Sequence, residues 1–330
     1  MKKKILLPAL MFVTLPMPVY AFDFDLSFQP RFKTGVQYYE YQQDAFQSPA
    51  RDPQGIFPNM QSSLEFKDWL PYVGGGLTIF ANRFFVDIDV QHAFDGEDQT
   101  FNSQQNFLEG DGSFSSGTVL VQNPTNYDTN FDRTEWSISA GFSVFEKLVL
   151  FAGYKHAETN FDSNLRGNIA GLQASNSAPI PFLSGTLTGN LEQNFKYDGP
   201  FVGASYSWRI DQEVIAGILS FNFAAAFMDG TVDLRFRDVV LTNQTGATVP
   251  FDLQNVAQSQ GRGSFSGLKG DSTGFSFGAA WRGLTSVDDL TYSFGVNGYL
   301  YEFDSNDSNN TTPDFSETQI RLNFSLAYAF

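Results

Sequence analysis

Along much of the chain, apolar side chains stand at every second position. In 136–144 the apolar set is Trp136, Ile138, Ala140, Phe142 and Val144, against Ser137, Ser139, Gly141 and Ser143. In 202–210 it is Val202, Ala204, Tyr206, Trp208 and Ile210, against Gly203, Ser205, Ser207 and Arg209. Leu219–Phe227 and Gly274–Arg282 repeat the pattern, and in the last ten residues Leu322, Phe324, Leu326, Tyr328 and Phe330 alternate with polar or small residues. A period of two is the strand period, with one face apolar and the other polar or small. Runs of about nine to eleven such residues have the length of a tilted strand that crosses a bilayer.

The connections alternate in length. Short ones fall at 80–83, 145–147, 210–212 and 283–289; long polar ones fall at about 44–60, 96–130, 162–194, 229–270 and 304–314. A soluble β-sandwich has no reason to sort its loops this way, whereas a transmembrane barrel puts short turns at the periplasmic side and long loops outside. The expectation is an all-β, antiparallel, up-and-down barrel of ten strands near 27–43, 64–80, 84–95, 131–144, 148–161, 195–209, 213–228, 271–283, 290–303 and 316–330. The stretch "GTVDLRFRDVVL" inside 229–270 is strand-like. It either extends the seventh strand beyond the membrane or adds a pair, which makes twelve strands. No composition break divides 22–330, which reads as one barrel domain.

The two ends of the sequence fit export. "MKKKILLPALMFVTLPMPVYA" has a lysine-rich start, an apolar stretch broken by prolines and small residues before Ala21, the layout of a signal peptide over 1–21. The last strand must seal against the first, so that no edge is left in lipid. With Phe330 last and Tyr328, Leu326, Phe324 and Leu322 at alternate places before it, the ending resembles the terminal signature of bacterial outer-membrane β-barrel proteins. That resemblance implies recognition by the barrel-assembly machinery, residence in the cell outer membrane of a Gram-negative bacterium, and contact with outer-membrane lipid and lipopolysaccharide.

Composition narrows the chemistry. Without the leader the chain keeps 17 basic and 36 acidic residues, a net charge of about −19, which disfavours nucleic acid as a partner. There is no cysteine, so neither disulfides nor thiolate metal sites can form, and only two histidines remain. The segment 304–315 is rich in oxygen ligands but lacks the glycine and spaced Glu of a calcium loop, and reads as a solvated loop. No cofactor and no metal is expected. Tyr206, Trp208, Trp281 and Phe330, near short turns, read as a periplasmic aromatic girdle.

Strand parity then assigns the lumen. Arg31, Lys33, Asp87, Asp89 and Arg321 take the inward face, with Arg209 and Arg282 lower, near the periplasmic mouth; Arg31, Lys33 and Arg321 are expected to face Asp87 and Asp89. These charges form either a salt-bridge network that fills a narrow barrel or the wall of a selective pore. The architecture also resembles the omptin surface proteases, which use an acidic pair with a His–Asp pair at the outer rim. Asp87 and Asp89 look like the first pair and His156 with Glu158 like the second. Asp87 follows a periplasmic turn too closely to reach that rim, and both histidines share the lipid-side parity. The function expected is therefore not enzymatic. It is a small porin-like channel for ions or polar solutes, or alternatively a closed barrel whose loops recognise a surface partner.

Overall fold

The computed structural model describes residues 26–43, 63–94, 100–104, 119–122, 124–172, 185–211, 216–250, 267–284, 289–305 and 315–330. The leader expected at 1–21 and most of the oxygen-rich segment 304–315 lie outside the described residues. The strands are β1 (Leu26–Gln43), β2 (Ser63–Ala81), β3 (Phe84–Phe94), β4 (Thr100–Gln104), β5 (Val119–Gln122), β6 (Pro124–Phe145), β7 (Leu148–Leu172), β8 (Gly185–Asp211), β9 (Ala216–Asn243), β10 (Thr248–Pro250), β11 (Leu268–Leu284), β12 (Leu290–Ser305) and β13 (Phe315–Tyr328).

Ten of these form a closed antiparallel ring in the order β1-β2-β3-β6-β7-β8-β9-β11-β12-β13, and β13 returns to β1. The seam runs from Arg31 opposite Ala327 to Gln43 opposite Phe315. Below it, Phe28 and Phe330 exchange two backbone hydrogen bonds, with N···O of 2.9 and 3.1 Å, and their rings stack 6.5 Å apart. Among the described residues no strand of the ring lacks a neighbour on either side, which is what a sheet in hydrocarbon requires. The turn after β2 is closed by Asn82 in the left-handed region (φ 55°), a position Asn tolerates and β-branched residues do not.

The outward face carries the apolar set. On β3, Val86, Ile88 and Val90 are exposed while Asp87, Asp89 and Gln91 point inward. Phe223, Phe227, Phe275, Phe277, Phe294 and Leu322 continue the belt around the ring. Trp69, Trp136 and Tyr154 bound part of it on the long-loop side. On the short-turn side Tyr206 packs on Trp208 (4.6 Å) and Trp281 on Tyr292 (5.3 Å), so the expected girdle faces outward. Apolar residues of this kind in a contiguous exposed belt make a lipid-facing surface.

The loops at 96–130, 162–194 and 229–270 are shorter than the sequence indicated, because strand pairing continues into them. β7 and β8 stay paired up to Ile169–Gly185, and β8 and β9 up to Gly185–Asn243. β5 adds to the far end of β7, β10 folds back on β9, and β4 bridges β2 and β6. Of the two readings of "GTVDLRFRDVVL", the extended seventh strand is the one observed. Beyond the belt these strands stand in water, so both faces can be polar and the apolar alternation that marks a strand disappears. From Asp198 to Gly185 alone, β8 rises roughly 40 Å along its length at about 3.3 Å per residue.

Two consequences are measurable. Deleting Phe330 removes both backbone bonds to Phe28 and the ring stacked on it, and the fraction of heat-modifiable, assembled barrel should fall sharply. Ile88→Lys should destabilise the barrel by about 2–4 kcal/mol in lipid, whereas Ser139→Lys, on the lumen side, should cost clearly less; equal costs would overturn the assigned parity.

Candidate functional site

The lumen holds three tiers. In the lower one Arg31 bridges two acids of β3. Its Nη1 donates to Asp87 Oδ1 (2.6 Å), and its Nη2 donates to Asp87 Oδ2 (2.8 Å) and Asp89 Oδ2 (2.6 Å). Lys33 donates to Asp89 and to Gln91 Oε1, the latter at 3.1 Å. Thr78 accepts from Arg31 (2.8 Å) and donates to Asp87 (2.5 Å). β2 lies between β1 and β3, and the bridge crosses it because β2 turns Gly74 and Gly76 inward. A Cβ on Gly76 would sit 2.6 Å from Arg31 Nη2, and one on Gly74 would sit 2.7 Å from Lys33 Cε.

The middle tier is centred on Glu135. It accepts from Arg133 Nε (2.6 Å), Arg321 Nη2 (2.5 Å), Lys155 Nζ (3.0 Å) and Gln91 Nε2 (2.9 Å). Arg133 also reaches Glu317 (3.1 Å), which accepts from the Tyr39 hydroxyl (2.7 Å). Arg321 donates to Gln37 (3.1 Å) and lies over the Tyr299 ring at 4.4 Å. The expectation that Arg321 faces Asp87 and Asp89 is thus corrected: its carboxylate partner is Glu135. The seam register explains why. Arg321 stands opposite Gln37, while Arg31 stands opposite Ala327, six residues further down β13. Parity placed Arg321 in the lumen but not at its height.

Arg133, Glu135, Lys155 and Glu317 were missed. A signal was present for two of them: the inward serines Ser137, Ser139 and Ser143 lead, by steps of two, up to Glu135 and Arg133.

The outer tier is aromatic. Tyr39, Tyr41, Phe66, Leu70, Phe131, Phe161, Phe195, Tyr197, Phe303 and Phe315 are each at most 5 % exposed. They come from β1, β2, β6, β7, β8, β12 and β13, so the layer crosses the lumen from wall to wall. Phe66 stacks on Phe131 at 5.4 Å and Phe303 on Phe315 at 4.4 Å, while Phe161 meets Phe195 edge-on at 5.9 Å. Toward the short turns the inward face mixes small, partly accessible residues, such as Ser139, Gly203, Ser205, Asn222, Gly295 and Ser325, with the rings of Phe80, Phe85 and Phe151. Arg209 and Arg282 share the inward parity at that mouth, as expected, and both are exposed.

The histidines lie on the outward face. His92 contacts Thr134 Oγ1 (2.9 Å). His156 pairs with Asp198 (2.6 Å), its direct cross-strand neighbour, and stacks on Trp136 at 5.5 Å. The pairing with Glu158 that the protease resemblance suggested, and that parity argued against, is not formed: Glu158 accepts from Asn194 (2.8 Å) and Lys196 (3.1 Å). The barrel wall separates His156 from the Asp87–Asp89 pair. Among the described residues no group of three or more His, Asp or Glu is arranged to hold a metal.

Glu135→Gln leaves Arg133, Lys155 and Arg321 without their shared counter-charge in a site at most 12 % exposed, and should cost about 3–5 kcal/mol of stability in lipid. Gly76→Ala should also destabilise the barrel, because the new methyl group meets both Arg31 and the Ile88 carbonyl. Urea titration of the barrel in vesicles checks both.

No family model matches the chain, and no curated protein matches it. Solved structures do. The outer membrane protease OmpT from Escherichia coli is similar with a TM-score of 0.56 and 10 % identity, over 92 % of this chain and 97 % of that one. The Pseudomonas putida toluene transporter TodX aligns with a TM-score of 0.26 and 10 % identity, over 91 % and 90 % of the two chains. A Pseudomonas aeruginosa FadL homologue gives 0.26 and 10 %, over 92 % and 90 %. At these identities the likeness to OmpT shows a shared fold, and the chain is a closed ten-stranded antiparallel β-barrel of the transmembrane kind.

Proposed function

We propose that this protein is an integral outer-membrane barrel with a lumen closed at its outer end, and that its tall extracellular sheet serves in surface recognition. One observation carries the reading: the aromatic layer from Tyr39 to Phe315 spans the lumen above the ionic tiers. That layer separates this proposal from the porin-like channel that the resemblance to outer-membrane barrels favours. Ten strands enclose an interior close to the size that side chains fill, so a layer of this bulk is enough to block a path.

Placement in the outer membrane is supported by the apolar belt and the closed seam. Lipopolysaccharide and lipid at that belt, and the assembly machinery acting on the β13 ending, follow as proposed partners. The recognition role rests on where the polar mass lies. β5, β7, β8, β9 and β10 form one continuous sheet above the belt, and binding function concentrates in such exposed elements on a rigid scaffold. A peptidase role is not part of the proposal: Asp87 and Asp89 are held by Arg31 and Lys33 inside the barrel, and His156 faces outward.

Planar-bilayer recording tests the closed lumen. The wild-type protein should give no stable conductance steps, and the double variant Phe66→Ala, Phe161→Ala, which removes two rings from the layer, should gain them. Steady conductance from the wild type that the double variant does not raise would sink the proposal.

A further inference from the structure

Directly beneath the aromatic layer lies a cavity of about 180 Å³. Its two walls differ in kind. One is charged: Lys33 and Asp89 from β1 and β3, Glu135 and Lys155 from β6 and β7, and Arg321 from β13. The opposite wall, from β8, β9 and β11, is made of Phe201, Ala224, Ala226, Gly274 and Ser276 and bears no charge. Tyr299 and Tyr301 roof it.

Three cations and two carboxylates line this space, so its charge is positive. Lys155 Nζ contacts Glu135 (3.0 Å) and donates to the Tyr301 hydroxyl (2.7 Å), and Lys33 Nζ donates to Asp89 and Gln91. An ammonium group has three donors, so Lys33 retains one beyond its contacts among the described residues, while Lys155, whose Nζ also lies 4.7 Å from the centre of the Tyr299 ring, has only a ring opposite its third. A buried excess of positive charge is costly without a counter-charge. Access is graded in the same sense: the aromatic layer closes the outer side, and Arg209 and Arg282 stand exposed at the periplasmic mouth on the other. A cationic mouth raises the local concentration of anions.

The size sets a further limit. An apolar protein cavity of about 150 Å³ holds one benzene ring. A space slightly larger, with ammonium donors on one wall and Phe201, Ala224 and Ala226 on the other, fits a small organic anion with an apolar body. We propose that the mid-lumen cavity binds such a monocarboxylate from the periplasmic side, the carboxylate at Lys33 and Lys155 and the body against Phe201 and Ala224. This site goes beyond the recognition role of the extracellular sheet, and neither depends on the other.

The test is isothermal titration of the full-length barrel in nanodiscs with benzoate, and with benzyl alcohol as its uncharged counterpart. Benzoate should bind, and benzyl alcohol should bind at least about tenfold more weakly, since the charge-assisted bonds are lost. Ala224→Leu fills the cavity from the uncharged wall without touching the ion pairs, and should weaken benzoate by about tenfold or more while the barrel stays heat-modifiable. If that variant does not assemble, Lys33→Met serves instead, because Arg31 still holds Asp89; it should weaken benzoate and leave benzyl alcohol unchanged. Absence of benzoate binding up to about 10 mM, equal binding of the two probes, or benzoate affinity untouched by the variant that assembles would each overturn the proposal.

Discussion

The pairing of β1 with β13 is the constraint on which the structure depends. In hydrocarbon every strand amide and carbonyl must find its partner inside the sheet, and an open edge would expose a row of them. The seam from Arg31–Ala327 to Gln43–Phe315, with Phe28 and Phe330 continuing it downward, removes that edge. Closure also fixes which residues face each other across the interior. Once the ring is sealed, Arg321 is held beside Gln37 and within reach of Glu135, well above the Arg31–Asp87–Asp89 cluster.

The interior is then filled by chemistry that changes with height. Near the short turns small residues such as Ser139 and Gly203 alternate around the wall with the rings of Phe85 and Phe151. In the middle five cations and four carboxylates interlock, and two inward glycines of β2 let Arg31 and Lys33 reach across a whole strand. At the outer end aromatic rings close the space. Buried ions are weak contributors to stability on balance, but they strongly penalise a lost partner, so such a network favours one register over its neighbours. The aromatic layer supplies what the ions do not: apolar burial inside a barrel whose outward face cannot bury anything until it meets lipid.

Above the belt the same strands continue as a free-standing sheet. β8 is 27 residues long and β9 is 28, more than twice what the bilayer needs. The rim beneath this sheet changes character around the ring. Trp69, Trp136 and Tyr154 mark one side, while Asp198, Asp229, Asp271 and Asp304 stand in direct cross-strand succession on the other. The protein therefore presents different surfaces to its surroundings on its two sides.

Much of this was readable in the order of residues. Period-two alternation in 136–144 or 322–330 assigns faces, because side chains of a strand point alternately to opposite sides. The alternation of short and long connections gave the up-and-down order and ten strands. Those are local properties, carried by a few adjacent residues. The height of each inward charge is not local: it depends on register summed around ten strands, and so Glu135 as the partner of Arg321, and Asp198 as that of His156, emerged only from the folded ring. The strands beyond the belt were hidden for a different reason, since in water neither face of "NLEQN" or "RFRD" needs to be apolar. The aromatic layer shares the lumen parity, since Phe131, Phe161 and Phe195 stand at even steps from Ser137, Lys155 and Ser205; that these rings meet as one layer across the interior depends on register around the whole ring, and so it emerged only with the fold.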